Sequence, residues 1–138
     1  VTCDQRPDQP QITAESYPAA AITVPAIRHA IVRLLGATSL DPQRKADVLL
    51  AVTEAAANAV RHGSTSPTDR IDLEANLRRD SLTVTIRDYG PGIPRDAPST
   101  GPGLGLPLIS ALADHTELHH AHPGTRATLH FAIQPTAG

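Results

Sequence analysis

The residues best suited to chemistry begin with Glu54 and Asn58, in the stretch Leu49-Leu50-Ala51-Val52-Thr53-Glu54-Ala55-Ala56-Ala57-Asn58-Ala59-Val60-Arg61-His62-Gly63. On a helix, side chains four apart project the same way, one turn from each other. A carboxylate in that position can take a proton from a hydroxyl or a water. An amide oxygen one turn on is a hard ligand of the kind Mg2+ prefers. Ala51 and Ala55 lie beside the pair, and their small side chains are expected to keep the wall low and leave room for a ligand. Alone, a Glu-x3-Asn pair is more often a solvated helix face. On a wheel of about 100° per residue, Ala46, Leu49, Leu50, Thr53, Ala57 and Val60 form the expected core stripe, and Asp47, Ala51, Glu54, Asn58 and His62 the stripe next to it.

Two glycine-bearing segments downstream add to this pair. Ile86-Arg87-Asp88-Tyr89-Gly90-Pro91-Gly92 starts as a strand and ends as a loop. Asp88 sits where the strand leaves the sheet, and its carboxylate can accept a hydrogen bond from the exocyclic amine of adenine. Gly90 and Gly92 lack Cβ atoms, so a flat base can lie against the backbone. In isolation the same run is an ordinary Asp-Gly turn. Gly101-Pro102-Gly103-Leu104-Gly105-Leu106-Pro107 precedes a helical pattern from Leu106 to Asp114. Glycines opening a helix present free N–H groups and the positive dipole end at one point, an anion site suited to a triphosphate. It is not the Walker pattern, since no Gly-Lys-Ser/Thr follows, and it lacks the βαβ context of a dinucleotide fingerprint.

The elements that must position these groups follow from periodicity. Residues 1–11 are polar and proline-bearing and are expected to be a flexible tail, with residues 12–138 as one domain. A helix should follow Thr23, with Pro25 in its first turn, Ile27, Ala30, Ile31 and Leu34 as its apolar stripe, and Gly36 at its end. Asp41-Pro42 is a helix-start signal, an N-cap followed by proline at the first position. That helix should run to about His62 and stop at Gly63. The period then becomes two. Ile71, Leu73, Ala75 and Leu77 alternate with polar residues, and Leu82, Val84 and Ile86 follow a turn at Arg79-Asp80-Ser81. Thr116–His122 and Thr125–Ile133 form a hairpin pattern around Pro123-Gly124. The order helices, two strands, helix, two strands implies an α+β two-layer sandwich, with helices on one face of a mixed, largely antiparallel sheet.

Bulk properties narrow the function. The 138 residues fit one domain of ordinary size. With no Trp, one Phe and two Tyr, the core must be aliphatic. A formal charge of −2 lacks the basic field that duplex binding needs, so no direct nucleic-acid partner is expected. No apolar run approaches the ~20 residues of a membrane span, and no signal peptide is visible. The single cysteine, Cys3, excludes an internal disulfide and agrees with a cytoplasmic protein. The sequence has no Met, so residue 1 is read as the start of a processed or trimmed chain.

Taken together, Glu54-x3-Asn58, Asp88-x-Gly90-x-Gly92 and Gly101-x-Gly103-x-Gly105 resemble, in order and spacing, the N, G1 and G2 boxes of the GHKL ATPase and kinase superfamily, the Bergerat fold. Gly124-Thr125 before the last strand fits the same family, and the resemblance covers residues 12–134. The small size, the helix around Glu54 and the first helix after Thr23-Val24-Pro25 are most similar to the anti-sigma-factor serine/threonine kinases. That resemblance implies ATP and Mg2+ as cofactors. It implies Glu54 as general base, Asn58 as Mg2+ ligand, and Asp88 as adenine acceptor through a water shared with Thr125. Gly90 and Gly92 would line the base pocket. Gly101, Gly103 and Gly105, in the run that includes Leu104 and Leu106, would cradle phosphates, with Arg61 and His62 near them. It implies a STAS-type anti-sigma-factor antagonist as substrate and a sigma factor as second partner, and with the aliphatic first helix it admits a homodimer. The short linker between Gly92 and Gly101 implies a small lid. Two alternatives stand beside this reading. One is an ATP-gated binding module without phosphotransfer, against which the retained Glu54 argues. The other is a stand-alone histidine-kinase-like ATPase domain, which the Gly103-Leu104-Gly105-Leu106 run also fits, although the chain has no room for dimerisation and phosphoacceptor helices. His115, His119, His120, His122 and His130 gather near the final hairpin. His120 and His122 would share a strand face with metal-binding spacing, but a solvated polar face is the simpler expectation.

Overall fold

In the computed structural model the described residues are 11–36, 38, 40–62, 69–90, 106–121 and 123–133, with the side chains of His62 and Leu106 left outside the description. The chain runs β1 (Gln11–Pro18), α1 (Thr23–Gly36), α2 (Pro42–His62), β2 (Arg70–Leu77), β3 (Ser81–Asp88), α3 (Leu106–Leu112), β4 (His115–His120) and β5 (Thr125–Ala132). The strands form one sheet in the order β1-β2-β3-β5-β4, and each neighbouring pair is antiparallel. The helices pack on one face of it. The α+β sandwich expected from the period change is therefore present, with a sheet antiparallel throughout its described pairings.

Alternation sets the two faces. Ile71, Leu73, Ala75 and Leu77 of β2, Leu82, Val84 and Ile86 of β3, and Leu129 and Phe131 of β5 are buried toward the helices. Asp72, Glu74, Thr83, Thr85, Arg87 and Thr128 take the opposite, open face. Ile27, Ile31, Leu34 and Leu35 supply α1's share of the core. Thr23 is buried at the start of α1, and its hydroxyl donates to the Pro18 carbonyl, joining that helix to the end of β1. Past Gly36, Thr38 closes the helix by donating its hydroxyl to the Leu35 carbonyl at 2.7 Å.

Two expectations need correction. The buried stripe of α2 is Val48, Ala51, Val52, Ala55, Ala56 and Ala59, whereas Leu50 is 46% exposed and Ala46 is also exposed. Each of these six recurs three or four residues on, the spacing of a helical face. Alanines there let the helix lie close on the sheet, while the larger Leu50 faces outward. Ala51 and Ala55 accordingly pack in the core and form no open wall. The second correction is β1, which begins at Gln11, a residue assigned above to the tail.

Arg44 fixes the first turn of α2 to the sheet. Its guanidinium donates to the carbonyls of Leu112 (3.3 Å) and Ala132 (3.2 Å), pairs with the Asp114 carboxylate and lies 5.6 Å from the Phe131 ring centre. Asp114 in turn accepts the Ala132 N–H at 2.6 Å. Because Arg44 is partly buried and binds α3, β5 and Asp114 at once, Arg44→Ala should cost about 1–2 kcal/mol. A urea unfolding curve with a lowered midpoint and unchanged slope would register it. Among the described residues no helix is long and apolar enough to cross a membrane.

Candidate functional site

The position of Arg44 sets where the rest of α2 falls. It touches Ala132 at one end of β5. Asn58 lies about 21 Å further along the helix axis, and Thr125 about 23 Å back along the strand. Asp88 pairs with Thr125 at the other end of β5 from Ala132. α2 packs against β3, so the helix carrying Glu54 and Asn58 and the strand ending at Asp88 meet in the layer between helices and sheet.

Asp88 is built into this corner. It continues the inward alternation of Leu82, Val84 and Ile86 and is 7% exposed. Its Oδ1 accepts the N–H of Gly90 at 3.3 Å and of Thr125 at 3.2 Å. Burial raises its pKa above the usual carboxylate value, while those two N–H groups and the charge of Arg87 pull the other way. Both described bonds to the carboxylate fall on Oδ1, so Oδ2 remains suited to a ligand's donor. Thr125 is 6% exposed, and its Oγ1 is buried with no partner among the described residues.

The same holds for Asn58, whose Oδ1 is buried and without a hydrogen-bond partner among the described residues. An orphaned buried oxygen costs about 1–3 kcal/mol, and such atoms call for an explanation. Asn58 Oδ1 and Thr125 Oγ1 are both hard oxygens. One suits a magnesium ion and the other a water or base edge, so the donor set fits a nucleotide with its metal. Glu54 is half-buried one turn before Asn58, and Arg61 is exposed at the last turn of α2. Gly90 is buried. Gly92, Gly101, Gly103, Leu104 and Gly105 lie outside the described residues, as do the side chains of His62 and Leu106.

Gly124, expected at the hairpin turn and in the Gly-Thr pair, has a specific geometric role. Its φ is +94°, and a Cβ there would stand 1.9 Å from the Asp88 carbonyl oxygen. The turn between β4 and β5 therefore presses against the backbone of the Asp88 corner.

The histidines gather elsewhere, on the open face of the sheet. His130 Nε2 lies 3.0 Å from Glu117 Oε2, and the Nε2 atoms of His119 and His115 lie 3.6 Å and 4.0 Å from Oε1. These partners, His130 foremost, hold the Glu117 carboxyl below its usual pKa. Among the described residues no three His, Cys, Asp or Glu side chains are arranged to hold a metal ion. His120 ends β4, and His122 lies outside the described residues.

Comparison with known proteins agrees with the fold. A family model described as a histidine kinase-like ATPase domain matches residues 17–131. A sensor-type histidine kinase, PrrB of Mycobacterium leprae, is 34% identical over 88 residues, which are 54% of this chain and 18% of that protein. The solved structure of the RsbU and RsbW domains of Rv1364c from Mycobacterium tuberculosis superposes with a TM-score of 0.72 at 22% identity, over 91% of this chain and 33% of that one. The histidine kinase domain of a blue-light activated histidine kinase from Erythrobacter litoralis superposes with a TM-score of 0.60 at 21% identity, over 84% of this chain and 61% of that one. The chain thus spans well under two thirds of the PrrB and Rv1364c chains.

Proposed function

The chain belongs to the histidine kinase-like ATPase domain family, and within it we propose an ATP- and Mg2+-dependent serine/threonine protein kinase that acts as an anti-sigma factor. Residues 12–138 would work as one domain. Its substrate would be a STAS-type anti-sigma-factor antagonist, and its second partner a sigma factor. The observation that carries the reading is a carboxylate, Glu54, one helical turn from Asn58, whose amide oxygen is buried and unpartnered among the described residues. A binding module has no use for a base in that place. The fold shared with a structure that contains an RsbW domain supports the same choice.

In this reading Asp88 accepts the adenine amine, and Thr125 Oγ1 binds a water at the base. Gly90 and Gly92 flank the base, and the run Gly101-Pro102-Gly103-Leu104-Gly105-Leu106 offers N–H groups to the phosphates, with Arg61 and His62 nearby. Asn58 would hold Mg2+, which supplies charge neutralisation on the phosphates when bound. Glu54 takes the proton of a partner's Ser or Thr hydroxyl as that oxygen bonds the γ-phosphorus. The bond to the bridging oxygen breaks, and ADP leaves. Positioning supplies most of the acceleration. A second reading, a stand-alone histidine-kinase-like ATPase domain, draws on the identity with PrrB.

Labelled ATP and candidate antagonists separate these. Acid-stable label on a partner Ser or Thr supports the proposal. Acid-labile label on a histidine favours the second reading. Tight ATP binding with no transfer to any partner would leave an ATP-gated regulatory module and sink the kinase.

The raised pKa of Asp88 gives a further expected outcome. The ionised carboxylate accepts more strongly than the protonated acid, so ATP affinity should fall as pH drops through that pKa, with protons released on binding. Calorimetry in buffers of different ionisation enthalpy checks this. Folding has the opposite sign. The folded state holds this proton more tightly than the unfolded chain, so the contribution of Asp88 to stability declines as pH rises from the ordinary carboxylate value through the raised one. Asp88→Asn should therefore weaken ATP binding about 10–100-fold while leaving nucleotide-free stability at neutral pH equal or higher.

A further inference from the structure

Asp88 is flanked by two residues that the site chemistry does not use, Arg87 and Tyr89. Alternation turns both to the open face of the sheet, away from α2. There they are tied down. The Tyr89 hydroxyl donates to Asp72 Oδ2 on β2, and the Arg87 guanidinium lies over the Tyr89 ring, 4.3 Å from its centre. Arg87 also reaches the Pro123 carbonyl, at 3.5 Å, in the turn whose Gly124 presses on Asp88. Asp72 is directly opposite Arg87 in the β2–β3 register, so the three side chains form one cluster. It grips the last residues of β3 from behind, at the point where the chain leaves the sheet for Gly90.

We propose that Tyr89, through its bond to Asp72 and its stack under Arg87, is a positioning residue that sets the aim of the Asp88 carboxylate and so the preference for adenine over other bases. This rests on the ATP reading above. The reason is mechanical. Among the described residues the Asp88 carboxylate accepts the N–H groups of Gly90 and Thr125; Thr125 is held in the β5 ladder opposite Asp88, whereas Gly90 lies past the end of β3. Asp88 itself is paired with Ile71 of β2, and Tyr89, which stands between Asp88 and Gly90, extends that tie to β2 past the end of the ladder through Asp72. The phenol's pKa is raised, chiefly by donation to Asp72, in agreement with a bond kept across the neutral range. The pair lines an open cavity of about 390 Å3 with Ser16, Asp69 and Arg70. Asp72 can take a water there once the hydroxyl is gone, so Tyr89→Phe should fold.

The test compares Tyr89→Phe, Asp72→Asn and the unaltered protein, using ATP and inosine triphosphate, which has a carbonyl in place of the amine. Tyr89→Phe should lower the ATP-over-inosine preference about fivefold, by weakening ATP and leaving inosine triphosphate unchanged. Asp72→Asn, which keeps an acceptor, should retain most of the preference. In the nucleotide-free chain, amide exchange at Thr125 and Gly90 should quicken by about the same factor in Tyr89→Phe. A generally loosened fold would weaken both nucleotides alike and lower the melting temperature, and that result would overturn the proposal. So would unchanged preference with unchanged exchange. If the unaltered protein does not prefer ATP, the ATP reading fails, and amide exchange still decides whether Tyr89 holds Asp88.

Discussion

Gly124→Ala should be among the most destabilising single substitutions in the chain, at about 3 kcal/mol or more. The backbone at Gly124 has φ +94°, a region costly for any residue with a Cβ, and the new methyl would stand 1.9 Å from the Asp88 carbonyl oxygen, 2.6 Å from its carbon and 2.8 Å from the Tyr89 Cα. All three are backbone atoms, so no side chain can rotate aside. Relief requires moving the turn away from β3, which breaks the Asp88–Thr125 pairing and the bond from the Thr125 N–H to Asp88. Domains of this kind are stable by only about 5–15 kcal/mol, so the loss is a large share and should lower the melting midpoint by roughly 10 °C. Nucleotide affinity should fall with it even where the protein stays folded, because Asp88 is displaced. Gly36→Ala is the control. Gly36 sits in α1 with no atom within 4 Å of where a Cβ would stand and no positive φ, so alanine there should be neutral or mildly stabilising. Equal urea midpoints for the two variants would refute the argument.

Much of the architecture was legible because it rests on local patterns. The alternation in β2 and β3 fixes the buried face outright, and Asp41-Pro42 marks the start of α2 because proline tolerates only the first helical turn. The strand β1 was not legible. Its residues are mostly exposed on an edge, with Ile12 facing the open side, so no apolar period of two announces it. The face of α2 was misassigned for a related reason. A run dominated by alanine carries little contrast, and Leu49 and Leu50 outweigh Val48 and Val52 on a wheel. Close approach to the sheet selects the side with small residues, which only the tertiary contact reveals.

The candidate site divides along the same line. Glu54, Asn58, Asp88 and Thr125 could be named because each belongs to a short motif with fixed spacing. The anchoring of Asp88 could not. Asp72 and Tyr89 are 17 residues apart and meet only because the β2–β3 register sets Asp72 opposite Arg87, beside Tyr89. Nor could the orphaned oxygens of Asn58 and Thr125 be seen in the sequence, since an unsatisfied atom is defined by what surrounds it.

Glu54→Gln should separate binding from chemistry. The two side chains have the same shape and nearly equal helix propensity, and Glu54 is only half-buried on a helix whose packing comes from Val48, Ala51, Val52, Ala55, Ala56 and Ala59. Stability and ATP affinity should therefore stay within about twofold. Transfer to a partner hydroxyl should fall about 100-fold or more, because an amide cannot take the proton that the attacking oxygen must lose, and positioned bases contribute about 10²–10⁴. The residual rate would come from Asn58, Asp88 and the glycine loops holding the nucleotide in place. Asn58→Ala predicts the complementary result. It should weaken Mg2+-ATP more than metal-free ATP, since it removes an oxygen proposed as a metal ligand and leaves the base contacts intact. Single-turnover transfer measured at saturating ATP, with nucleotide affinity determined separately, distinguishes the two. Should Glu54→Gln transfer phosphate as fast as the unaltered protein, Glu54 is not the base, and the kinase reading loses the residue on which it chiefly rests.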